Sequence, residues 1–219
     1  MSIKQNLQNI KSTLPNSVTL VAVSKTKPVS DLMEAYHAGQ RVFGENKIQE
    51  MAEKHEQMPK DIIWHMIGHV QRNKVKYMAE FVSLIHGVDN TKLLKEINKQ
   101  ALKHNRIIDC LLQIKIAEED SKFGMSAEEA SALLQSEEFS ELKNVNVVGL
   151  MGMATFTDNM EQIENEFKYL NSFFNKLKAQ NSKLKTLSMG MSGDYKLAIE
   201  CGSNMIRVGS SIFGARNYL

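Results

Sequence analysis

Eight short apolar runs recur along the chain, and each of the first seven is followed by a turn and then by a stretch of helical periodicity. They cover 19–23, 41–46, 62–68, 82–88, 107–116, 145–151, 186–191 and 205–209. Strands that alternate with helices in this order must lie parallel, because each helix carries the chain back to the edge where the next strand begins. Eight βα units in 219 residues predict a (β/α)8 barrel, with an open doubly wound sheet as the alternative. Helices are expected at 31–37 with Ser30 as cap, 47–55, 70–78, 91–103 capped by Asn90, 127–136 capped by Ser126, 160–177 and 195–201. An additional helix over 2–14 places Ile3, Leu7 and Ile10 on one side. Along 160–177, Ile163, Phe167, Leu170, Phe173 and Phe174 form a stripe that should pack on the barrel wall, with Tyr218 and Leu219 covering its edge.

Composition removes several classes of function. The 27 basic and 25 acidic side chains leave a formal charge of +2, and no basic block or arginine stripe suggests nucleic acid. No apolar run is long enough for a bilayer, and residues 1–6 lack the apolar segment of a signal peptide. Cys110 and Cys201 lie far apart and match no metal or redox spacing. We therefore expect a cytoplasmic protein with reduced thiols. With three prolines and no low-complexity tract, residues 1–219 are expected to form a single domain.

The first run ends in Ser24-Lys25-Thr26-Lys27-Pro28. Pro28 cannot continue a ladder, so Lys25 stands where a buried strand gives way to a loop. In α/β proteins that end of the sheet is where ligands bind. A lysine there is either a solvated strand-end residue or an amine able to form a Schiff base. The loops after the last two strands carry Met191-Ser192-Gly193-Asp194 and Gly209-Ser210-Ser211. These are ordinary turns or a phosphate cup, and barrel position favours the cup. Arg207 shares the strand parity of Met205 and Gly209 and should point into the barrel, facing a carboxylate or a ligand acceptor. An amine, an anion cup and an inward arginine at one barrel mouth suit pyridoxal 5′-phosphate (PLP), which has an aldehyde, a phosphate and a ring nitrogen at separate points. A weak internal echo relates 149–153 to 187–191, and glycines there would let the backbone approach a ligand.

The stretches 21–28, Phe43-Gly44-Glu45-Asn46, 64–74, 187–192 and 206–216 together resemble the pyridoxal phosphate homeostasis family of PLP-binding proteins. The resemblance covers nearly the whole chain in order. It implies a single (β/α)8 TIM-type barrel like the alanine racemase N-terminal domain (PLP fold type III), with an extra N-terminal helix. It also implies PLP held covalently on Lys25, a role in vitamin B6 balance, and no turnover. By the same resemblance Arg207 faces the pyridine nitrogen, Ser192, Gly209 and Ser210 hold the phosphate, and Asn46 and Met191 line the cofactor. The chain departs from the commoner family wording at Arg72 and at Gly152-Met153-Ala154-Thr155, on the rim of the pocket.

An arginine opposite the ring nitrogen should leave it unprotonated and the ring a weaker electron sink. That suits a carrier, yet racemases share the arrangement, so a PLP-dependent racemase or decarboxylase stays open, as does a PLP-free Schiff-base lyase. The residues after Gly214 are too few for the second domain that racemases append, which favours the carrier. Apo PLP enzymes are the partners this implies, reached from a monomer. His65 and His69 have the i, i+4 spacing of a zinc helix but fall in a strand-like run. We expect His65 in the core and His69 near the rim. The stretch 120–124 resembles a loop of the pyridoxal phosphate homeostasis family, which implies a lid, and Lys122 there is either a contact to cofactor or anion or a solvated loop lysine; Lys27 and Lys74 could receive PLP during loading.

Overall fold

The computed structural model describes residues 2–118 and 123–215. Helix α1 (Ile3–Thr13) starts at Ser2, whose hydroxyl accepts the Gln5 N–H, and it buries Leu7 and Ile10. The barrel follows as β1 (Thr19–Val23), α2 (Val29–His37), β2 (Val42–Glu45), α3 (Ile48–Gln57), β3 (Ile63–Met66), a 3₁₀ turn (Arg72–Tyr77) and β4 (Leu84–Val88). Its second half is α4 (Thr91–Lys103), β5 (Ile108–Gln113), α5 (Ala127–Gln135), α6 (Glu137–Ser140), β6 (Val145–Met151) and α7 (Met160–Gln180). The chain closes through β7 (Thr186–Ser188), α8 (Tyr195–Glu200), β8 (Met205–Val208) and α9 (Ser210–Phe213).

Among the described residues the strands run in sequence order around a closed ring. Parallel pairing of β1 with β8, Thr19 opposite Met205 through Ala22 opposite Val208, seals it. That closure selects the barrel over the open sheet. Side chains alternate across each strand, so the ring has two apolar layers. Ala22, Phe43, Trp64, Ile85, Leu112 and Ile206 face outward into the layer shared with the helices, among them Leu32, Met51 and Phe167. Val21, Leu84, Leu111, Met151 and Met205 fill the interior. The stripe predicted for α7 is buried as expected.

Several boundaries differ from expectation, each for a local reason. Ser30 does not cap α2; Pro28 holds the N-cap position, and the helix starts one residue on, at Val29. The segment expected as a helix over 70–78 is only a 3₁₀ turn. Strand β7 stops at Ser188 because Gly190 turns the chain at φ +97°. Its carbonyl still accepts the Arg207 N–H at 3.0 Å. The echo glycines do not open the backbone to a ligand. A Cβ at Gly149 would lie 1.7 Å from the Thr186 carbonyl oxygen, and one at Gly190 would meet Ala198 at 2.6 Å. They allow close packing of strand on strand and strand on helix. Expectations for Lys122, Tyr218 and Leu219 lie outside the described residues.

Candidate functional site

At the end of β1 the backbone makes a turn in which the Lys27 N–H donates to the Ser24 carbonyl at 3.1 Å. Lys25 is the second residue of that turn. Thr26, the third, has φ +63°, the type II position that normally takes glycine. A β-branched residue held there costs on the order of 1–3 kcal/mol and persists only where neighbours enforce it. Lys25 is thus delivered to the carboxyl end of the barrel by a strained turn.

The strands end around a cavity of about 600 Å³. Lys25, Asn46, Met191, Ser192, Arg207, Gly209 and Ser210 all line it. On one side Ser192 Oγ accepts the Gly209 N–H at 3.2 Å. Asp194 Oδ1 accepts the Met191 N–H at 2.5 Å, which folds the loop back before α8. A Cβ at Gly209 would press on the Val23 carbonyl at 3.1 Å, so glycine lets the exit of β8 lie directly against the exit of β1. With the Gly209 N–H bonded to Ser192, the hydroxyls of Ser192 and Ser210 are the donors of a small cup on the same cavity as Lys25.

Arg207 forms the floor and is 4% exposed. Its Nη1 donates to the Ser188 carbonyl at 2.9 Å and to Ser188 Oγ at 2.7 Å, and its Nη2 donates to the Gly152 carbonyl at 3.0 Å. Among the described residues its hydrogen-bond partners are neutral oxygens, so the carboxylate alternative is not realised. Burial pulls the guanidinium down to about 10, against an opposing pull from Asp194. It remains a cation at neutral pH, and these bonds leave its Nε–H to donate elsewhere.

Behind Arg207 a buried chain crosses the barrel. Ser188 Oγ lies 3.1 Å from His86 Nδ1, and His86 Nε2 lies 3.1 Å from His65 Nδ1. Arginine can only donate, so Ser188 Oγ accepts from Arg207 and has one proton to give. With that proton on His86 Nδ1, the His86 proton sits on Nε2 and is donated to His65; the opposite tautomers reverse both bonds. Both rings are neutral. Burial lowers His65 to about 3. It holds His86 well below the usual range, with His65 and Arg207 adding to the effect.

These histidines make stability pH-dependent. The unfolded chain takes up their protons below roughly pH 6.5 and the folded chain refuses them, so ΔG of unfolding rises with pH across that window. Acidification from pH 6.5 toward 4 should cost up to about 1.4 kcal/mol per pH unit for each histidine. His86→Gln, which can bridge the same neighbours without titrating, should make the slope shallower by about one proton. Urea unfolding at pH 6.5 and 4.5 measures it; equal slopes in the two proteins would refute the neutral assignment.

The cavity has a further wall, the loop from Met153 to Asp158 after β6; the sequence placed Met153–Thr155 at the rim, and Phe156 to Asp158 extend it. Buried Glu166 of α7 anchors it by accepting the Thr155 N–H at 2.7 Å and the Thr155 hydroxyl at 2.6 Å. The available signal was a carboxylate on the apolar stripe of α7. Similarly, His86 is a polar residue within an otherwise apolar strand. His65 lies in the barrel interior, bonded to His86, as expected. His69 does not line the cavity; it pairs with Asp89 at 3.4 Å and stacks on Phe123. Lys27 does line it, with its ammonium on the carbonyls of Phe213 and Ala215. Lys74 lies outside it, 3.4 Å from Gln49.

The groups present match an aldehyde, a phosphate and an uncharged ring nitrogen: an amine in the wall, a donor cup beside it and a guanidinium beneath. Comparison with known proteins gives the same direction. Residues 1–217 match the family model described as alanine racemase, N-terminal domain. A pyridoxal phosphate homeostasis protein of Vibrio alginolyticus is 40% identical over 99% of this chain and 99% of its own. PipY of Synechococcus elongatus, 35% identical over 97% of this chain and 100% of its own, superposes with TM-scores of 0.92 without PLP and 0.89 with PLP bound. An alanine racemase of Clostridium difficile, 15% identical, shares the fold at a TM-score of 0.78 over 99% of this chain and 60% of its own.

Proposed function

Because the chain belongs to the pyridoxal phosphate homeostasis protein family, built on the alanine racemase N-terminal domain, we propose that it binds PLP in this cavity and serves in the balance of that cofactor within the cell. The observation that carries the reading is the convergence of Lys25, Arg207 and the Ser192–Gly209 cup on one cavity. When bound, PLP supplies an aldehyde that condenses reversibly with a primary amine.

Each residue then has a distinct task. Lys25 supplies the amine. The hydroxyls of Ser192 and Ser210 would donate to the phosphate at the close approach that Gly209 allows, while Asn46 and Met191 would flank the ring. Arg207 donates to the ring nitrogen and, as a permanent cation, keeps a proton off it. A ring left in that state withdraws electrons weakly, which supports retention and release over turnover. The family name, which denotes homeostasis and no reaction, points the same way. In our reading the protein is a cytoplasmic monomer, a single domain, that passes PLP to apo PLP-dependent enzymes. Among the described residues no helix is long and apolar enough to cross a membrane.

Borohydride reduction of the PLP-treated protein, followed by peptide mass spectrometry, tests this. The expected result is one stable phosphopyridoxyl adduct, on the peptide containing Lys25. An adduct found only on other lysines, or none, would refute the assignment.

A further inference from the structure

Lys54 sits on α3 and is 5% exposed, although its i, i+4 spacing from Glu50 suggests an ordinary surface pair. Its ammonium spends all three protons. It donates to the Ser24 carbonyl at 2.8 Å, to Glu45 Oε1 at 2.7 Å and to Glu50 Oε1 at 2.8 Å. The two carboxylates continue to the same turn. Glu45 Oε1 accepts the Ser24 hydroxyl at 2.6 Å, and Glu50 Oε1 accepts the Thr26 N–H at 2.5 Å.

The Ser24 carbonyl belongs to the peptide unit before Lys25, and the Thr26 N–H to the unit after it. Holding both planes leaves the Lys25 backbone little rotation and so sets the direction of its Cα–Cβ bond. The same bonds hold Thr26 at its left-handed φ. Lys54, Glu45 and Glu50 are absent from the cavity lining, so they act on the site only through the turn. Stability alone is a poor reason for such a group, since buried ion pairs are often matched by apolar residues of similar volume. Here Glu45 is fully buried, its Oε2 has no partner among the described residues, and burial pushes its carboxyl up.

We propose that Lys54, with Glu45 and Glu50, is a positioning clamp for Lys25, aiming the cofactor-binding amine by fixing the peptide units on either side of it. The proposal rests on Lys25 as the PLP-bearing residue, and its test separates the two. Glu50→Ala removes the acceptor of the Thr26 N–H, while Glu50→Gln retains an oxygen there. Lys54→Met removes the central cation. Two quantities are read on the full-length protein: hydrogen exchange at the Thr26 amide before PLP is added, and the rate of PLP release after loading.

Glu50→Ala and Lys54→Met should raise exchange at Thr26 at least about tenfold, with the β4 amides unchanged. They should speed PLP release by a similar factor, and Glu50→Gln should stay within about twofold of wild type on both. Wild-type exchange and release in Glu50→Ala would overturn the clamp. So would faster exchange spread equally over β4, because the residue would then be merely structural. If wild type forms no adduct on Lys25, the PLP assignment fails, while the exchange pattern still decides whether the turn is clamped.

Discussion

Lys25→Ala protein, loaded with PLP under conditions that saturate wild type, is expected to show no visible band from a lysine-bound cofactor and no borohydride-stable adduct. The residue is only partly buried and stands past the end of β1. Alanine there keeps the turn backbone and lies beyond the packed strand, so the thermal midpoint should move little. What disappears is the covalent bond. The donor cup and Arg207 remain, so PLP should still bind, but at least about 100-fold more weakly, which is about 2.7 kcal/mol. Lys27 is the nearest rival amine in the same cavity. Its ammonium is held by the carbonyls of Phe213 and Ala215, so it is not expected to substitute. Equilibrium dialysis measures the residual affinity and mass spectrometry the adduct; an unchanged band in Lys25→Ala would move the nucleophile elsewhere.

The barrel was legible because its signals are local. Each strand is a short β-branched run, each helix an amphipathic stretch, and the parity of Met205, Arg207 and Gly209 directs Arg207 inward with no knowledge of its neighbours. The same holds for Lys25, Ser192 and Gly209, whose position at strand ends is a property of the chain alone. What was not legible depends on closure. Nothing local relates His86 to Ser188, since β4 and β7 meet only across the interior of the finished ring. Lys54 misleads for the same reason. Its spacing from Glu50 describes a solvent-exposed pair, and only packing of α3 against the exit of β1 buries it. Short elements also escaped: α9 spans Ser210–Phe213, too brief for periodicity to register, and it begins where a loop was expected.

Arg207→Met should damage both stability and cofactor binding, because the guanidinium is the donor on which the interior chain depends. Its loss leaves the carbonyls of Ser188 and Gly152 without that partner at the buried floor of the cavity. It also removes the donor at the head of the Ser188–His86–His65 series. Each buried neutral acceptor left unsatisfied commonly costs on the order of 1–3 kcal/mol, and we expect the urea midpoint to fall accordingly. Arg207→Lys distinguishes charge from geometry. A lysine restores the cation, yet its single ammonium cannot reproduce the planar fork that reaches Ser188 and Gly152 while still offering a donor to the cavity. It should recover part of the stability and little of the PLP affinity. The ring nitrogen provides a separate readout: in the methionine variant no cation excludes its proton, so the absorbance of bound PLP should acquire a pH dependence that wild type lacks. A methionine variant with wild-type affinity and a pH-invariant spectrum would show that Arg207 supports the barrel and leaves the cofactor alone.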